Sequence, residues 1–285
     1  MLTVLAPAKL NLTLEVLAKR PDGFHEIRSV IQTISLSDSL DFQLSHNLEF
    51  SCNNPEWLAE KSLVSKAANL LQEATKCSKG AMINVSKRIP LVSGLGGDSS
   101  DAAAVLRGLN QLWSLGLSIR ELTELAAQLG SDVTFFLYGG TALMEGRGEI
   151  VTPLPPFPYM WVILMVPPGP RLPGKTGQLY ASLKANHYTN GQITEQFVKM
   201  LKEKAKLTPS LLFNTFENVT FTPLSKIDTF RSHALKVGAP RVHLAGSGPA
   251  LYTLLADKTK AKELYNLFQQ QRMQPYLVET LASIE

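Results

Sequence analysis

Apolar and polar residues alternate along the first fifty positions in the way that half-buried β-strands require. The alternation predicts four strands, separated by turn sequences such as RPDG: LTVLA, LTLEVLA, IRSVIQTISL and SLDFQL. The period then changes. From residue 62 to about residue 74 apolar side chains recur three and four positions apart, which predicts a helix, and AMINVS predicts a further strand.

Two more helices are predicted between residues 97 and 130. The segment DAAAVLRGLNQLW is rich in alanine and leucine, which favour helix. Its candidate N-cap residues are Asp98, Ser99 and Ser100. Ser118 and Glu121 have the spacing of a capping box for the next helix, ELTELAAQL, which we expect to end at Gly130. TALME then predicts a strand.

The proline-rich segment PLPPFP, residues 153–158, is the predicted boundary between two halves. After it, MWVILMV, RVHLAG, ALYTLLA and PYLVET predict strands, and GQLYASLK and residues 258–271 predict helices. Thr222 and Pro223 are expected to open one more helix, which Gly238 closes. Each half mixes strands and helices without strict alternation, so we predict an α+β fold for both, with domains 1–155 and 156–285 sharing a cleft.

Composition narrows the class of protein. The 285 residues are 45% hydrophobic and 18% charged, which is typical of a globular chain. The net charge of +4 comes from scattered lysines and arginines, so an acidic small molecule suits the chain as well as nucleic acid does. Cys52 and Cys77 lie far apart without a CxxC motif, which argues against structural zinc and favours a reducing cytoplasm.

Neither a membrane span nor a secretion signal is predicted. The longest apolar run covers only residues 159–166, well short of the roughly twenty residues that span a bilayer. The first residues lack a cationic leader followed by an apolar stretch. We therefore expect a cytoplasmic protein without a membrane or nucleic-acid partner.

One candidate phosphate site is GPRLPGKT, residues 169–176, which matches the phosphate-binding loop pattern GxxxxGK[ST] and lies between a predicted strand and a predicted helix. Such a loop works because consecutive backbone amide hydrogens converge on the anion. Pro170 and Pro173 carry no amide hydrogen, so two donors are missing. Asp257 is the one candidate for the acidic residue that should end a companion strand. The backbone chemistry therefore argues against a nucleotide site here.

The rival site is PLVSGLGGDSSDAAA, residues 90–104. Gly94, Gly96 and Gly97 permit tight turns and a close approach of the backbone to a ligand. Ser99 and Ser100 add hydroxyl donors, and the positive end of the following helix points at whatever the loop holds. This segment predicts an anion cradle, although glycine density alone is equally compatible with a turn that enters a helix.

The rival segment, extended to PLVSGLGGDSSDAAAVLRGLN, closely resembles the central motif of the GHMP kinases, the superfamily of galactokinase, homoserine kinase, mevalonate kinase and phosphomevalonate kinase. The other two motifs of the superfamily resemble APAKLNLTLEV near the amino terminus and HLAGSGPALYTLL near the carboxyl terminus, so the likeness covers the whole chain. KRPDGFHEIRSV and LGSDVTFFLYGGTALMEGRGE resemble the branch whose substrate is a diphosphocytidyl alcohol.

The resemblance implies ATP-dependent phosphorylation of that alcohol's 2-hydroxyl in the non-mevalonate isoprenoid pathway, with Mg²⁺ bridging the phosphates of ATP. It implies an ATP-binding amino-terminal domain like the second domain of ribosomal protein S5 and a ferredoxin-like carboxyl-terminal domain. The expected assembly is a monomer or a weak homodimer.

The resemblance assigns catalysis to Lys9 in PAKLNL and Asp132 in GSDV. An alcohol is a poor nucleophile at neutral pH, and a carboxylate within hydrogen-bond reach accepts its proton as the phosphoryl group transfers. The lysine keeps that carboxylate ionised and offsets the developing alkoxide charge. The split between base catalysis and positioning stays open at this point.

The same resemblance implies the binding residues. The cofactor-binding residues are Lys87, Pro90, Gly94, Leu95, Gly96, Gly97, Ser99 and Ser100. The substrate-binding residues are Asn11, Phe24, His25, Thr176 and Tyr180. His25 suits a base edge, Phe24 and Tyr180 are expected to form an aromatic sandwich around the cytosine, and Lys175 is expected near a substrate phosphate.

Four positions depart from the family pattern. Phe24 replaces the usual tyrosine, which keeps the stacking face and loses the hydroxyl. GLGGDSS replaces GLGGGSS, so the carboxylate of Asp98 must point away from the anion site, bind a hydrated Mg²⁺ or weaken ATP binding. Ser62 stands where an asparagine usually contacts adenine. AGSGPAL replaces SGSGPT and keeps Gly246, Ser247 and Gly248.

Two alternatives from other classes stay open. The first is a non-catalytic protein that keeps this fold as a small-molecule sensor or as an S5-like RNA binder, which the isoelectric point near 9.0 allows. The presence of both Lys9 and Asp132 argues against a decayed enzyme, and the scattered charge argues against RNA. The second is a nucleotidase built on residues 169–176.

Overall fold

The computed structural model describes residues 1–169, 174–223 and 225–284. Within these residues the chain forms two sheets. The strands are β1 (Leu2–Asn11), β2 (Thr13–Lys19), β3 (His25–Ser45), β4 (Leu48–Cys52), β5 (Gly80–Ser86), β6 (Thr141–Gly146), β7 (Ile150–Pro153), β8 (Trp161–Met165), β9 (Phe213–Asn214), β10 (His243–Leu244), β11 (Leu251–Leu255) and β12 (Tyr276–Glu279).

Helices cover both sheets. They are α1 (Leu63–Thr75), α2 (Gly97–Leu112), α3 (Ile119–Leu129), α4 (Ser131–Tyr138), α5 (Lys175–Ser182), α6 (Gln192–Lys202), α7 (Glu217–Thr220), α8 (Lys226–Val237) and α9 (Lys258–Gln270). Within the described residues, no helix is long and apolar enough to cross a membrane.

The larger sheet is built around β3, which pairs with β1, β2, β5 and β6, all antiparallel. Two separate strands were expected over this stretch, and the structure joins them into one strand of 21 residues. The reason is Asp38. Its side chain is fully buried and accepts hydrogen bonds from the backbone amides of Arg88 and Ile89 at 2.5 and 2.8 Å. These bonds hold the polar midpoint of β3 in extended conformation.

The smaller sheet has the order β10-β11-β8-β12, with every pair antiparallel. In chain order its four strands are therefore arranged 2-3-1-4. The predicted strands MWVILMV, RVHLAG, ALYTLLA and PYLVET all contribute to it, so those four predictions are confirmed.

The two halves are joined by backbone hydrogen bonds and by a common apolar cluster. In the larger sheet β9, from the second half, pairs in parallel with β2. A mixed apolar cluster joins Leu10 of β1 to Val162 and Leu164 of β8. The buried hydroxyl of Tyr252 in β11 donates to the carbonyl oxygen of Asn11 at 2.9 Å. The proline-rich segment separates the halves along the chain, but their packing is continuous.

Helix caps agree with the sequence for α3 and at Gly238, the C-cap of α8, and differ at the starts of two helices. The capping box of Ser118 and Glu121 is present, and α3 ends at Gly130, as predicted. The helix expected to open at Thr222 and Pro223 begins instead at Lys226, because the hydroxyl of Ser225 accepts the amide hydrogen of Asp228. Serine is a preferred N-cap residue because its side-chain oxygen accepts such an amide hydrogen.

The N-cap of α2 is the other difference. Asp98, Ser99 and Ser100 were the candidates, and the structure places the cap at Gly96, with φ 76° and no side-chain cap bond. The three candidates lie inside the first turn of α2. A left-handed backbone at the cap is open to glycine without steric cost, so the helix begins directly at the end of the glycine-rich loop.

Close packing of α2 on the larger sheet depends on Gly108. A Cβ at this position would lie 2.6 Å from the ring of Phe42, which is fully buried. Gly108→Ala should therefore destabilise the fold, because overpacking costs about 1 to 3 kcal/mol. The higher helix propensity of alanine offsets roughly 0.5 to 1 kcal/mol of this cost. Urea denaturation measures the difference.

Gly177→Ala in α5 is the matched control, because among the described residues no atom outside its own helical turn lies within 4 Å of the position its Cβ would take. We expect it to be neutral or stabilising by up to about 1 kcal/mol. Equal unfolding free energies for Gly108→Ala and the unmodified protein would contradict the packing argument.

Candidate active site

A cleft of about 710 Å³ is lined by residues from both halves of the chain. Its lining includes Lys9 on β1, Asp132 in the first turn of α4 and Lys175 at the start of α5. Gly94, in the loop after β5, and Gly246, in the loop between β10 and β11, also line it. The cleft is therefore the place where motifs distant in the sequence converge.

Lys9 and Asp132 are brought together as an ion pair, with 3.6 Å between Nζ and Oδ2. The Lys9 side chain is 6% exposed and that of Asp132 is 35% exposed. In the described part of the chain, Asp132 accepts no side-chain hydrogen bond, so its oxygens are open to the cleft. The buried ammonium is thus paired with a carboxylate that faces the cleft.

Asn11 holds Lys9 in place. Its Oδ1 accepts a hydrogen bond from Lys9 Nζ at 2.7 Å, and its Nδ2 donates to Ser29 Oγ at 2.8 Å. The Ser29 hydroxyl in turn donates to the carbonyl oxygen of Thr13. Asn11 lines the cleft, but both ends of its amide are occupied, so the geometry supports a positioning role, and its predicted contact with substrate stays a prediction.

The glycine-rich loop is shaped by contacts that leave no space for a side chain. Gly94 has φ 86°, and a Cβ there would lie 2.2 Å from the carbonyl oxygen of Ala245. The amide of Ala250 also donates to the carbonyl oxygen of Ser93 at 3.0 Å. The loop after β5 and the loop between β10 and β11 are therefore locked together.

Most of the predicted cofactor residues line the cleft. These are Pro90, Gly94, Gly96, Gly97 and Ser99, with Lys87. Leu95 and Ser100 do not line it. Leu95 is fully buried and its carbonyl oxygen accepts the amide hydrogen of Lys9, and the Ser100 hydroxyl donates to the carbonyl oxygen of Pro7 at 2.7 Å. The side chains of these two residues support the loop from behind.

Asp98 points toward α1. Its Oδ1 accepts the hydroxyl hydrogen of Ser62 at 2.8 Å, and its carboxylate accepts the amide hydrogen of Leu63 at 3.2 to 3.3 Å. Carboxylates at a helix start are stabilised by the free amide hydrogens and the helix dipole. Two departures from the family pattern, Ser62 and Asp98, are thus hydrogen-bonded to each other.

Lys87 lies between two buried aspartates. Its Nζ is 2.5 Å from Asp38 Oδ2 and 2.6 Å from Asp101 Oδ2, and the side chain is 3% exposed. The ammonium ties β3 to α2 across the entry to the glycine-rich loop. This geometry supports a positioning role for Lys87, and its predicted contact with the cofactor stays a prediction.

Lys87, Asp38 and Asp101 form a buried triad. It contains two carboxylates and one ammonium, so negative charge is in excess. Burial, together with the neighbouring Asp38, raises the pKa of Asp101 to about 8 even though Lys87 opposes the shift. Asp38 Oδ1 accepts two backbone amides, whereas Asp101 Oδ1 has no hydrogen-bond partner among the described atoms. Asp101 is therefore the carboxyl that takes up the proton.

Two of the predicted aromatic residues, Phe24 and Tyr180, line the cleft, whereas His25 does not line it and lies behind Tyr180. The ring of Tyr180 stacks on His25 with 4.7 Å between centroids, and burial, followed by the charge of Asp132, raises the pKa of Tyr180 to about 12. Burial, followed by Lys19, lowers the pKa of His25.

Phe24 is 54% exposed, and its ring lies under the guanidinium of Arg147 at 4.8 Å. The described residues show no ring contact between Phe24 and Tyr180, so the predicted sandwich around a base stays a prediction.

The start of α5 contacts the AGSG loop. The hydroxyls of Thr176 and Ser247 lie 2.9 Å apart. Lys175 is half-buried, and burial lowers its pKa. Pro170 and Pro173, on which the argument against a nucleotide loop depends, lie outside the described residues. Of the described residues of GPRLPGKT, Gly174, Lys175 and Thr176 line the cleft and Gly169 does not.

Sequence reasoning missed Arg147 and the apolar pair Trp57 and Leu58, which also line the cleft. Arg147 sits in a β-turn between β6 and β7, where nothing in the residue pattern points toward Phe24. Tyr188, whose hydroxyl lies 3.4 Å from His25 Nε2, was also missed. These contacts depend on tertiary packing.

Residues 62–140 match the model of the GHMP kinases N terminal domain. They include the glycine-rich loop, α2 and Asp132, and so contain the cradle and one member of the central ion pair. The fold and the site define a two-sheet GHMP kinase, a small-molecule kinase with ATP as its co-substrate.

Comparison with similar proteins identifies the family within the GHMP kinases. A 4-diphosphocytidyl-2-C-methyl-D-erythritol kinase from Dehalococcoides mccartyi (strain ATCC BAA-2266 / KCTC 15142 / 195) is 49% identical over all of both chains. One from Shouchella clausii (strain KSM-K16) is 37% identical over 93% of this chain and 89% of its own. A crystal structure of 4-(cytidine 5'-diphospho)-2C-methyl-D-erythritol kinase aligns with a TM-score of 0.82 at 30% identity, covering 98% of this chain and 99% of that one. The chain belongs to the 4-diphosphocytidyl-2-C-methyl-D-erythritol kinase family.

The raised pKa of Asp101 makes the stability of the fold depend on pH. A carboxyl that binds its proton more tightly in the folded state favours folding at low pH. This contribution is complete below the unfolded pKa near 4 and is lost as pH rises through about 8. We expect the unfolding free energy of the unmodified protein to fall across this window, by on the order of 1 kcal/mol per pH unit at most.

Asp101→Asn removes the titrating group and leaves Lys87 paired with Asp38. We expect the unfolding free energy of this variant, measured by urea denaturation from pH 5 to 9, to fall less with rising pH than that of the unmodified protein. An identical slope in the variant and the unmodified protein would show that Asp101 does not titrate in this range.

Proposed function

We propose that the chain transfers the γ-phosphoryl group of ATP to the 2-hydroxyl of 4-diphosphocytidyl-2-C-methyl-D-erythritol, in the non-mevalonate route to isoprenoid precursors. The observation that carries the proposal is the Lys9–Asp132 pair, which opens into a cleft that is also lined by the glycine-rich loop and by Tyr180, whose ring stacks on His25. The cleft thus has an anion cradle, a proton acceptor and an aromatic surface.

Asp132 accepts the proton of the substrate hydroxyl. Its carboxylate is more exposed than Lys9 and is free of side-chain hydrogen bonds among the described residues, so a hydroxyl can approach it. Lys9 bonds to Asn11 and remains 3.6 Å from Asp132, close enough to offset the alkoxide charge that develops as phosphoryl transfer proceeds. Catalysis of this kind is mainly positioning and electrostatic stabilisation.

ATP phosphates bind at the start of α2. The amide hydrogens of its first turn have no partner within the helix, and Gly96 brings the backbone close to the ligand. Mg²⁺ is part of the proposal, because magnesium in kinases is held largely by the phosphates themselves and needs few protein ligands. The hydroxyl of Ser99, which lines the cleft, is the protein oxygen that fits this role.

The finer description of the two domains is also proposed. We divide the chain into residues 1–155, an ATP-binding domain like the second domain of ribosomal protein S5, and residues 156–285, a ferredoxin-like domain. The strand order 2-3-1-4 of the smaller sheet, read from the opposite edge as 4-1-3-2, supports the second assignment. The shared apolar cluster supports a fixed relation between the domains.

The setting of the enzyme follows from the substrate. A small polar diphosphate substrate fits a cytoplasmic enzyme that acts without a membrane or nucleic-acid partner, as a monomer or a weak homodimer. The positive charges of the chain are scattered, which supports the absence of a nucleic-acid surface.

A substrate panel tests the activity. In an ATP-coupled assay, the purified protein should phosphorylate the diphosphocytidyl alcohol faster than galactose, homoserine or mevalonate. Asp132→Asn should lower kcat by about 10²- to 10⁴-fold, the usual contribution of general base catalysis, with little change in KM. Glu124→Gln on α3 is the matched loss of a carboxylate away from the cleft and should leave kcat unchanged.

Faster turnover of one of the three other alcohols would overturn the substrate assignment and keep the kinase class. Full activity of Asp132→Ala would overturn the mechanism. A nucleic-acid affinity that falls steeply with salt would instead support the RNA-binding alternative.

A further inference from the structure

The cleft contains more positive charge than its own carboxylates neutralise. Its charged lining residues are Lys9, Glu56, Lys61, Lys87, Asp98, Asp132, Arg147 and Lys175. Lys9 pairs with Asp132, Lys87 with two aspartates, and Arg147 with Glu149. Lys61 and Lys175 have no ion-pair partner among the described residues, and of these two only Lys175 is half-buried.

Lys175 lies where the loops of the site meet. Its Nζ is 3.4 Å from the position that a Cβ on Gly248 would take. The neighbouring Thr176 contacts Ser247 of the same loop. A half-buried ammonium that has lost part of its hydration and has no counterion is stabilised when an anionic ligand arrives.

Helix α5 fixes the distance between Lys175 and Tyr180, because both residues belong to it. Thr176 and Tyr180 are four residues apart and share a face of the helix, and Lys175 precedes them. At a rise of 1.5 Å per residue, Lys175 and Tyr180 are separated by about 7.5 Å along the axis. This is the order of the separation between a pyrimidine ring and the phosphates attached to its ribose.

We propose that Lys175 is a specificity-determining residue whose ammonium binds the diphosphate group of the substrate. The inference rests on the proposed function and deepens it, because it names the group that recognises the phosphates. Residues of α5 then contact both ends of the nucleoside diphosphate: Tyr180 stacks near the base, and Lys175 binds phosphate oxygens.

CDP and cytidine are the probes, because they differ only in the diphosphate. Isothermal titration calorimetry of the full chain should show that CDP binds more tightly than cytidine. Lys175→Met should weaken CDP binding about 10- to 100-fold, as expected for loss of a charge-assisted hydrogen bond, and leave cytidine affinity unchanged. Lys175→Arg should retain most of the preference for CDP. ATP affinity should stay within about twofold in both variants.

Lys19→Met is the matched control. Lys19 is exposed and close enough to His25 to lower its pKa, but it does not line the cleft, so the variant removes one nearby positive charge without removing a phosphate contact. We expect its ratio of CDP to cytidine affinity to equal that of the unmodified protein. An equal loss in Lys19→Met and Lys175→Met would overturn the inference, because only the overall charge would then matter.

Three other results would also overturn it. An unchanged preference for CDP in Lys175→Met, an equal loss of cytidine binding, or a selective loss of ATP binding would each exclude a diphosphate contact. Failure of the proposed function looks different, because the unmodified protein would then neither prefer CDP nor phosphorylate the diphosphocytidyl alcohol. Circular dichroism and thermal denaturation of Lys175→Met confirm that the folded protein was titrated.

Discussion

The site depends on the close contact between two backbone loops. The glycine-rich loop after β5 lies against the loop between β10 and β11, so closely that a Cβ on Gly94 would overlap the carbonyl oxygen of Ala245. A Cβ on Gly246 would lie 2.9 Å from the carbonyl oxygen of Gly94 and 3.1 Å from Lys9 Nζ. Small residues at these positions let the two halves of the chain enclose one cleft. Without this contact the glycine-rich loop, the Lys9–Asp132 pair and the start of α5 would not line the same cleft.

Buried polar networks then hold the charged groups at this junction. Lys9 is fixed by Asn11 and Ser29, and Lys87 by Asp38 and Asp101. A buried ammonium is costly unless it is hydrogen-bonded and paired, so each network specifies one arrangement of the strands and loops that supply its members. The first network positions the ammonium that pairs with Asp132. The second holds β3, the entry of the glycine-rich loop and α2 together.

The pairing of Asp98 with Ser62 shows how the chain accommodates an acidic residue in the first turn of α2, beside the glycine-rich loop. The sequence left three outcomes open for Asp98. The structure directs its carboxylate to the start of α1, where the Ser62 hydroxyl and the Leu63 amide neutralise part of its charge. Two residues that looked like separate departures from the family pattern therefore form one local unit. Their pairing brings the starts of α1 and α2 together along the edge of the cleft.

Residue patterns alone determined most of the secondary structure, because hydrophobic periodicity and capping residues act within a few positions of the chain. They predicted α3 with its capping box and the four strands of the smaller sheet, and the motif resemblance identified the kinase family and the glycine-rich loop. The continuity of β3 was decided by a tertiary contact, whereas the starts of α2 and α8 depend on local features that the sequence interpretation misplaced, the left-handed backbone of Gly96 and the side-chain cap of Ser225. Tertiary contacts also decided the partners of individual site residues: Asn11 with Lys9, Lys87 with its two aspartates, Tyr180 with His25, and Arg147 with Phe24. A motif records which residue types a site contains. Which atom each side chain finally contacts depends on burial and on groups supplied by distant segments, and only the folded chain brings those together.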